Sequence, residues 1–228
     1  MSAMTLLLQG IACVAIGYLL GNLSPSYLLG KRKGYDVRRD GSGNAGATNA
    51  FILLGAKSFF LTTALDILKA FAAYRVCQAA FPRLSFAGTL GGTACVLGHM
   101  YPALLGFRGG KGLASLGGVV LGWSWQWFLL LLTGALLLAF ATRYVCLVAP
   151  TMSVVFPACY YWQTGLLTAS LILLLAAVPI FLKHRENFAR IRAGTEMRTS
   201  FLWNKEGELK RIGKWNPATQ DQLERRGK

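Results

Sequence analysis

Carboxylates and imidazoles are scarce in this 228-residue chain: nine Asp and Glu and two His stand against 24 Lys and Arg. That leaves little material for a paired-carboxylate site, a Ser-His-Asp constellation or a metal cluster, and no GxSxG occurs. The five cysteines, Cys13, Cys77, Cys95, Cys146 and Cys159, form no CxxC pair, and each lies in an apolar stretch. There a thiol behaves as a small hydrophobe, so neither a disulfide framework nor a zinc site is supported. Charge is sparse altogether, 14% of residues against ~25% in an average soluble protein. No charged residue precedes Lys31, whereas 12 of the 24 Lys and Arg lie at or after Lys183. No internal repeat is apparent.

What the chain has instead is apolar length. Hydrophobic residues make up 54% of it, in stretches recurring at about the 20 residues that cross a hydrocarbon core. The predicted class is all-α, a polytopic membrane protein of about seven transmembrane helices. Hydropathy and charge together place spans at about 4–29, 51–75, 84–104, 112–123, 125–142, 145–162 and 165–182. Residues 112–123 are too few for a full crossing and read as a Gly-rich half-span.

Most basic residues, Arg75 and Arg83 in an outer link excepted, then fall on one side: Lys31, Arg32, Lys33, Arg38 and Arg39, then Arg108 and Lys111, Arg143, and the tail from Lys183. By the positive-inside bias that side is cytoplasmic, with the N-terminus outside and the C-terminus inside. The first span lacks a basic n-region and reads as a retained helix rather than a signal peptide. The net charge of +15 fits this bias and attraction to anionic membrane lipids, and a nucleic-acid partner is not indicated. The basic, polar tail 200–228 is expected to be partly disordered.

Two glycine-rich loops lie on the basic side. Gly41-Ser42-Gly43-Asn44-Ala45-Gly46-Ala47-Thr48-Asn49 formally matches GxGxxG, but without the strand that a dinucleotide site requires. Its glycines and hydroxyls ahead of a helix suit a phosphate; a tight interfacial turn without ligand is the plain alternative. In Phe107-Arg108-Gly109-Gly110-Lys111-Gly112 a lysine stands between glycines at the start of the half-span. It suits a phosphate too, or snorkels to headgroups. His99 ends the third span and reads as a structural residue or a base. His184 and Asn187, three apart, share a face if the last helix continues. Asp66 and Lys69, also three apart, are expected to form an ion pair within the second span.

Three separated motifs occur in order. The first is Gly34-x-Asp36-x-Arg38 leading into 41–49. The second is Gly98-His99-x-x-Pro102 leading to Phe107-x-Gly109-Gly110-Lys111-Gly112-x-Ala114. The third is His184-x-x-Asn187-x-x-Arg190-x-x-x-Gly194-x-Glu196. With them the chain resembles the bacterial acyl-phosphate:glycerol-3-phosphate acyltransferases over residues 10–198.

The resemblance implies acyl transfer from acyl phosphate to the 1-hydroxyl of glycerol 3-phosphate, giving lysophosphatidic acid and phosphate for phospholipid biosynthesis. It implies no cofactor and no obligate protein partner. It also implies a seven-span fold in the bacterial plasma membrane with the active site facing the cytoplasm. Residues 1–199 would be the acyltransferase domain and 200–228 a cytoplasmic tail. By matching positions, Ser42, Lys111, His184 and Asn187 take catalytic roles. Arg38, Gly41, Gly43, Asn44, Gly46, Thr48, Asn49, His99, Gly109, Gly110, Gly112 and Glu196 bind substrate. An acyl phosphate is already activated, so a substrate phosphate oxygen can act as base. His99 and His184 then orient groups, in keeping with the absence of a carboxylate-backed dyad.

Two positions depart from the family pattern: Ile52 stands where an arginine is usual, and Ala149 where a serine is common. An acceptor-altered or impaired paralogue is therefore an alternative. A membrane anion-binding or transport protein is another, although transporters favour internal repeats and a midplane site. A lost guanidinium contact to phosphate is worth about 1.5–3 kcal/mol. Ile52→Arg should accordingly lower the KM for glycerol 3-phosphate in steady-state assays; an unchanged KM would mean the contact is made elsewhere.

Overall fold

Proline and glycine decide where the apolar runs break into helices. The computed structural model describes residues 2–213. The first run divides at Asn22–Ser24 into α1 (Ala3–Gly21) and α2 (Pro25–Arg32), the latter starting on a proline at its first turn. The second divides at Gly55, whose φ of 82° suits glycine, into α3 (Ala47–Leu54) and α4 (Ala56–Ala80). Then come α5 (Ala87–Met100), the short α6 (Leu113–Trp123) and α7 (Trp125–Thr142). A 3-10 turn at Val145–Leu147 leads into α8 (Val148–Thr164), followed by α9 (Leu167–Leu174) and α10 (Ala177–Arg192).

Every described element is helical, and the spans expected at about 4–29, 51–75 and 165–182 are each divided between two helices. Among the described residues, four stretches are long and apolar enough to cross a membrane: Ala3–Arg32, Trp125–Thr142, Val145–Thr164 and Leu167–Arg192. The middle of the bundle is built differently. α4 carries Asp66 and Lys69, and α5 is a central helix with 12 of its 14 residues buried.

Apolar burial drives little helix association inside lipid, so backbone approach through small residues does that work. A Cβ built on Gly17 of α1 would overlap the Gly91 carbonyl oxygen of α5, and one on Gly21 that of Cys95. Gly98 faces the Tyr18 carbonyl in the same way, and Gly118 of α6 faces that of Ile67 in α4. At the far end, Trp123 stacks on Trp127 at 5.4 Å between centroids and lies 4.9 Å from Tyr160. Such a cluster suits a membrane interface.

The expectation for the tail needs correcting in part. Thr199–Leu202 forms a 3-10 helix and Lys205–Arg211 forms α11. Phe201 is buried against Phe51 of α3, at 5.5 Å between ring centroids. Glu208 is buried too, accepting from the Arg198 N–H at 2.8 Å and from Ser200 Oγ at 3.1 Å. A few apolar and charged contacts therefore order a segment whose composition reads as polar. For 214–228, the expectation of disorder lies outside the described residues.

Gly17→Val must displace backbone rather than a mobile side chain, and overpacking of this kind costs about 1–3 kcal/mol. Thermal unfolding in detergent should fall several degrees for Gly17→Val. Gly134→Ala, where nothing lies within 4 Å, should not destabilise.

Candidate active site

The loop ahead of α3 is held by its last residue. Asn49 is fully buried, and its Nδ2 donates to the carbonyls of Val37 (2.9 Å) and Asp40 (3.0 Å). Its Oδ1 accepts from the Ser42 N–H at 2.8 Å. Gly41, at φ 65°, leaves no room for a side chain beside that Oδ1. Gly43 and Gly46 donate their N–H groups within the loop, to Asp40 and Asn44 carbonyls. The first turn of α3 starts on Gly46 with no side-chain cap, which leaves its N–H groups to attract an anion. Thr48 lies in that turn, and Ser42 and Asn44 lie in the loop before it.

Arg38 braces the loop from outside. Its guanidinium donates to both carboxylate oxygens of Asp36 (2.9 and 2.8 Å) and to the Leu105 carbonyl (3.1 Å), over the Tyr27 ring at 4.9 Å. That guanidinium holds the Asp36 carboxyl down, to about 2. Arg38 thereby fastens the first glycine loop to the second.

The second loop is a tight return after α5. Gly109 and Gly110 donate their N–H groups to the carbonyls of Met100 and His99. These two glycines therefore close a turn with N–H groups expected to face phosphate. A Cβ on Gly110 would overlap His99 Nε2 and would lie 3.2 Å from the Ala45 carbonyl oxygen, so the two loops are side by side. Gly112, at φ 91°, starts α6 without a side-chain cap.

Lys111 points across to the last long helix. Its Nζ donates to Asn187 Oδ1, while Asn187 Nδ2 donates to Glu196 Oε1 at 2.7 Å. Glu196 Oε2 in turn accepts from Arg190 Nε at 2.6 Å. α10 does continue past the apolar run, so His184, Asn187 and Arg190 are carried on one helix. His184 is buried, and its Nδ1 lies 2.7 Å from the Ile180 carbonyl, donating to it and leaving Nε2 for another partner. Burial pushes the Lys111 ammonium below the usual lysine range, and the Arg190 charge adds to this while Glu196 opposes it.

Two features escaped the sequence reading. The first is Lys183, counted there among basic tail residues. Its Nζ donates to the carbonyls of Met100 (2.6 Å), Gly110 (3.2 Å) and Gly109 (3.3 Å), over the Tyr101 ring at 4.7 Å. It clamps α10 onto the second loop; the one available signal was its place beside His184 at the end of an apolar run.

The second is a carboxylate behind a histidine, contrary to the expected lack of such a dyad. Lys69 and Asp66 do pair, at 2.6 Å, and His99 Nδ1 lies 3.2 Å from the same Asp66 oxygen. The remaining Lys69 protons serve the Leu23 (2.6 Å) and Gly21 (3.3 Å) carbonyls. Lys69 Nζ also lies 3.0 Å from His99 Nδ1, so carboxylate, ammonium and imidazole form one buried cluster, with Nε2 toward Gly110. Spacing could not reveal this pair because α4 and α5 are brought together only by packing.

A family model for glycerol-3-phosphate acyltransferase matches residues 11–194. The chain belongs to the glycerol-3-phosphate acyltransferase family. It is 39% identical over 188 residues to the glycerol-3-phosphate acyltransferase of Mesorhizobium japonicum, covering 82% of this chain and 94% of that one. It is 34% identical over 194 residues to that of Lactiplantibacillus plantarum, covering 84% and 92%. The crystal structure of PlsY (YgiH), an integral membrane glycerol 3-phosphate acyltransferase, in its glycerol 3-phosphate form superposes with a TM-score of 0.78 at 35% identity. It covers 85% of this chain and 96% of that chain. The lysophosphatidic acid form gives 0.75 at 34% identity, covering 83% and 94%. This acyltransferase is thus an all-helical integral membrane enzyme of phospholipid synthesis, and all three sequence motifs lie at or within two residues of the matched segment.

The acyltransferase loop around Asn49 yields a stability test. Asn49→Ala strands two carbonyls and an N–H, each unsatisfied buried group costing about 1–3 kcal/mol. Hydrogen exchange in 36–46 should quicken markedly, with a lowered melting temperature; an unchanged exchange profile would show the loop is held otherwise.

Proposed function

We propose that this acyltransferase moves an acyl group from acyl phosphate to the 1-hydroxyl of glycerol 3-phosphate, at the cytoplasmic face of a bacterial plasma membrane. The observation that carries the reading is the pair of uncapped helix N-termini, at Gly46 and Gly112, set side by side with Lys111 between them and α10. Both substrates bear phosphate, and this arrangement offers two anion-attracting ends beside one buried ammonium.

In this reading the 41–49 loop holds the acyl-phosphate headgroup, with Ser42, Asn44 and Thr48 as side-chain donors. Asn49 and Arg38 act by shaping that loop. Lys111, His184 and Asn187 hold glycerol 3-phosphate, and Glu196 with Arg190 fixes the Asn187 amide so that its oxygen faces Lys111. The glycerol hydroxyl oxygen attacks the acyl carbonyl carbon and the carbon–oxygen bond to phosphate breaks. Phosphate leaves with the hydroxyl proton, so no protein base is required. Glycines 109 and 110 bring the loop close to His99, which Asp66 orients.

Seven crossings with the N-terminus outside fit the contacts among the basic loops. Arg38 reaches Leu105, Lys183 reaches Gly109, and Thr199 N–H donates to the Arg143 carbonyl at 2.8 Å. These contacts bring together the loops that carry Arg38, Arg143 and Lys183, which supports a shared face for them, with the Trp123–Trp127 cluster at the other end of α6.

Purified enzyme supplied with palmitoyl phosphate and glycerol 3-phosphate should form lysophosphatidic acid, and Lys111→Ala should lower kcat/KM at least about a hundredfold. Because burial lowers the Lys111 proton affinity, the KM for glycerol 3-phosphate should begin to rise at a pH below the ordinary lysine value of ~10.4. Lys111→Arg should flatten that limb. Full turnover in Lys111→Ala would remove this residue from the site.

A further inference from the structure

A cavity of about 340 Å³ opens at the C-terminal end of α7, lined by Phe140, Arg143, Arg198, Thr199, Ser200 and Trp203 and by no residue of the glycine loops. We propose that it binds the phosphate-bearing headgroup of an acidic membrane phospholipid, whose acyl chain leaves along α7 past Phe140.

Among the described residues, neither Arg143 nor Arg198 has a carboxylate within ion-pair distance. The carboxylate of Glu208 is taken by the Arg198 N–H, the Ser200 hydroxyl and the Arg211 guanidinium. Two unmatched guanidiniums on one cavity are the donor set that planar, forked contacts to phosphate oxygens require.

The cavity walls are amphipathic. Phe140 is 53% exposed on a span that presents Leu136 and Leu137 outward as well, and Trp203 is 67% exposed at the opposite rim. A soluble phosphate has no use for such walls. A lipid has, since its chain would cover the α7 face while tryptophan sits at headgroup level.

The cavity is also built, rather than a chance meeting of mobile arms. Arg143 adopts a left-handed backbone conformation at φ 66°, and its carbonyl accepts from the Thr199 N–H at 2.8 Å. Phe201 and Glu208 anchor the second wall into the bundle. That wall lies beyond residue 194, where the family match ends, so the site combines the shared bundle with the extension of this chain.

The test uses the full chain, delipidated in detergent and titrated with brominated lipids that quench tryptophan on contact. The Trp203 signal is obtained by subtracting the Trp203→Phe variant. Brominated phosphatidylglycerol should quench it at a several-fold lower concentration than brominated phosphatidylcholine. Arg143→Gln with Arg198→Gln should raise the phosphatidylglycerol midpoint roughly thirtyfold, as expected for two lost charges near a lipid surface. The corresponding double lysine variant keeps the charge but not the planar fork and should shift the midpoint less than the glutamine pair. It decides the matter if the glutamine pair does not fold, a midpoint unchanged from the native chain counting against the proposal. Equal midpoints for the two lipids, or an unchanged midpoint in the folded glutamine pair, would overturn the proposal. Full protection by millimolar inorganic phosphate would make this a free-phosphate site and overturn the lipid assignment.

Discussion

The buried ammonium of Lys69 is the constraint on which the rest of the structure depends. A charge within a membrane bundle must have every donor matched, and Lys69 finds Asp66 on its own helix and the Gly21 and Leu23 carbonyls at the end of α1. Those carbonyls are free because the chain breaks at Asn22–Ser24 before the proline that begins α2. One side chain therefore compensates the break, fixes α4 against α1 and, together with Asp66, meets His99 on α5.

From His99 the constraint passes into the candidate site. Its Nε2 and the Ala45 carbonyl both crowd Gly110, so the two glycine loops are set at a fixed separation by the absence of a side chain. Lys183 clamps the same turn from α10, which also carries His184 and Asn187. Site geometry is in this sense inherited from helix packing, and the helices pack closely because Gly17, Gly21, Gly91 and Gly98 let backbones touch. The loops themselves need only be short and well tied.

Much of this was legible in the residues. The apolar runs located the helices, down to α7 at Trp125–Thr142, and the three-residue spacing of His184 and Asn187 anticipated their shared helix. Motif residues read as ligands divide on inspection of the backbone. Asn49, Gly109 and Gly110 spend hydrogen bonds on holding loops, whereas Lys111 projects toward α10. Type and spacing alone cannot separate these roles, because asparagine and glycine serve turns as readily as phosphates. Lys183 was hidden for a related reason: a lysine at a span end ordinarily snorkels to water, and only the fold offers it three carbonyls.

The sequence by itself determined that this chain is a helical membrane protein with its polar motifs on one side, since hydropathy and charge bias act locally along the chain. It also carried the family, through long motifs at characteristic separations. Only the tertiary structure decided which side chains meet: Asp66 with His99, Lys111 with Asn187, and Arg143 with the wall built by 198–203. These partners sit on different helices, and their pairing depends on the close packing of glycine-faced backbones and on satisfying buried charge, neither of which a linear spacing encodes.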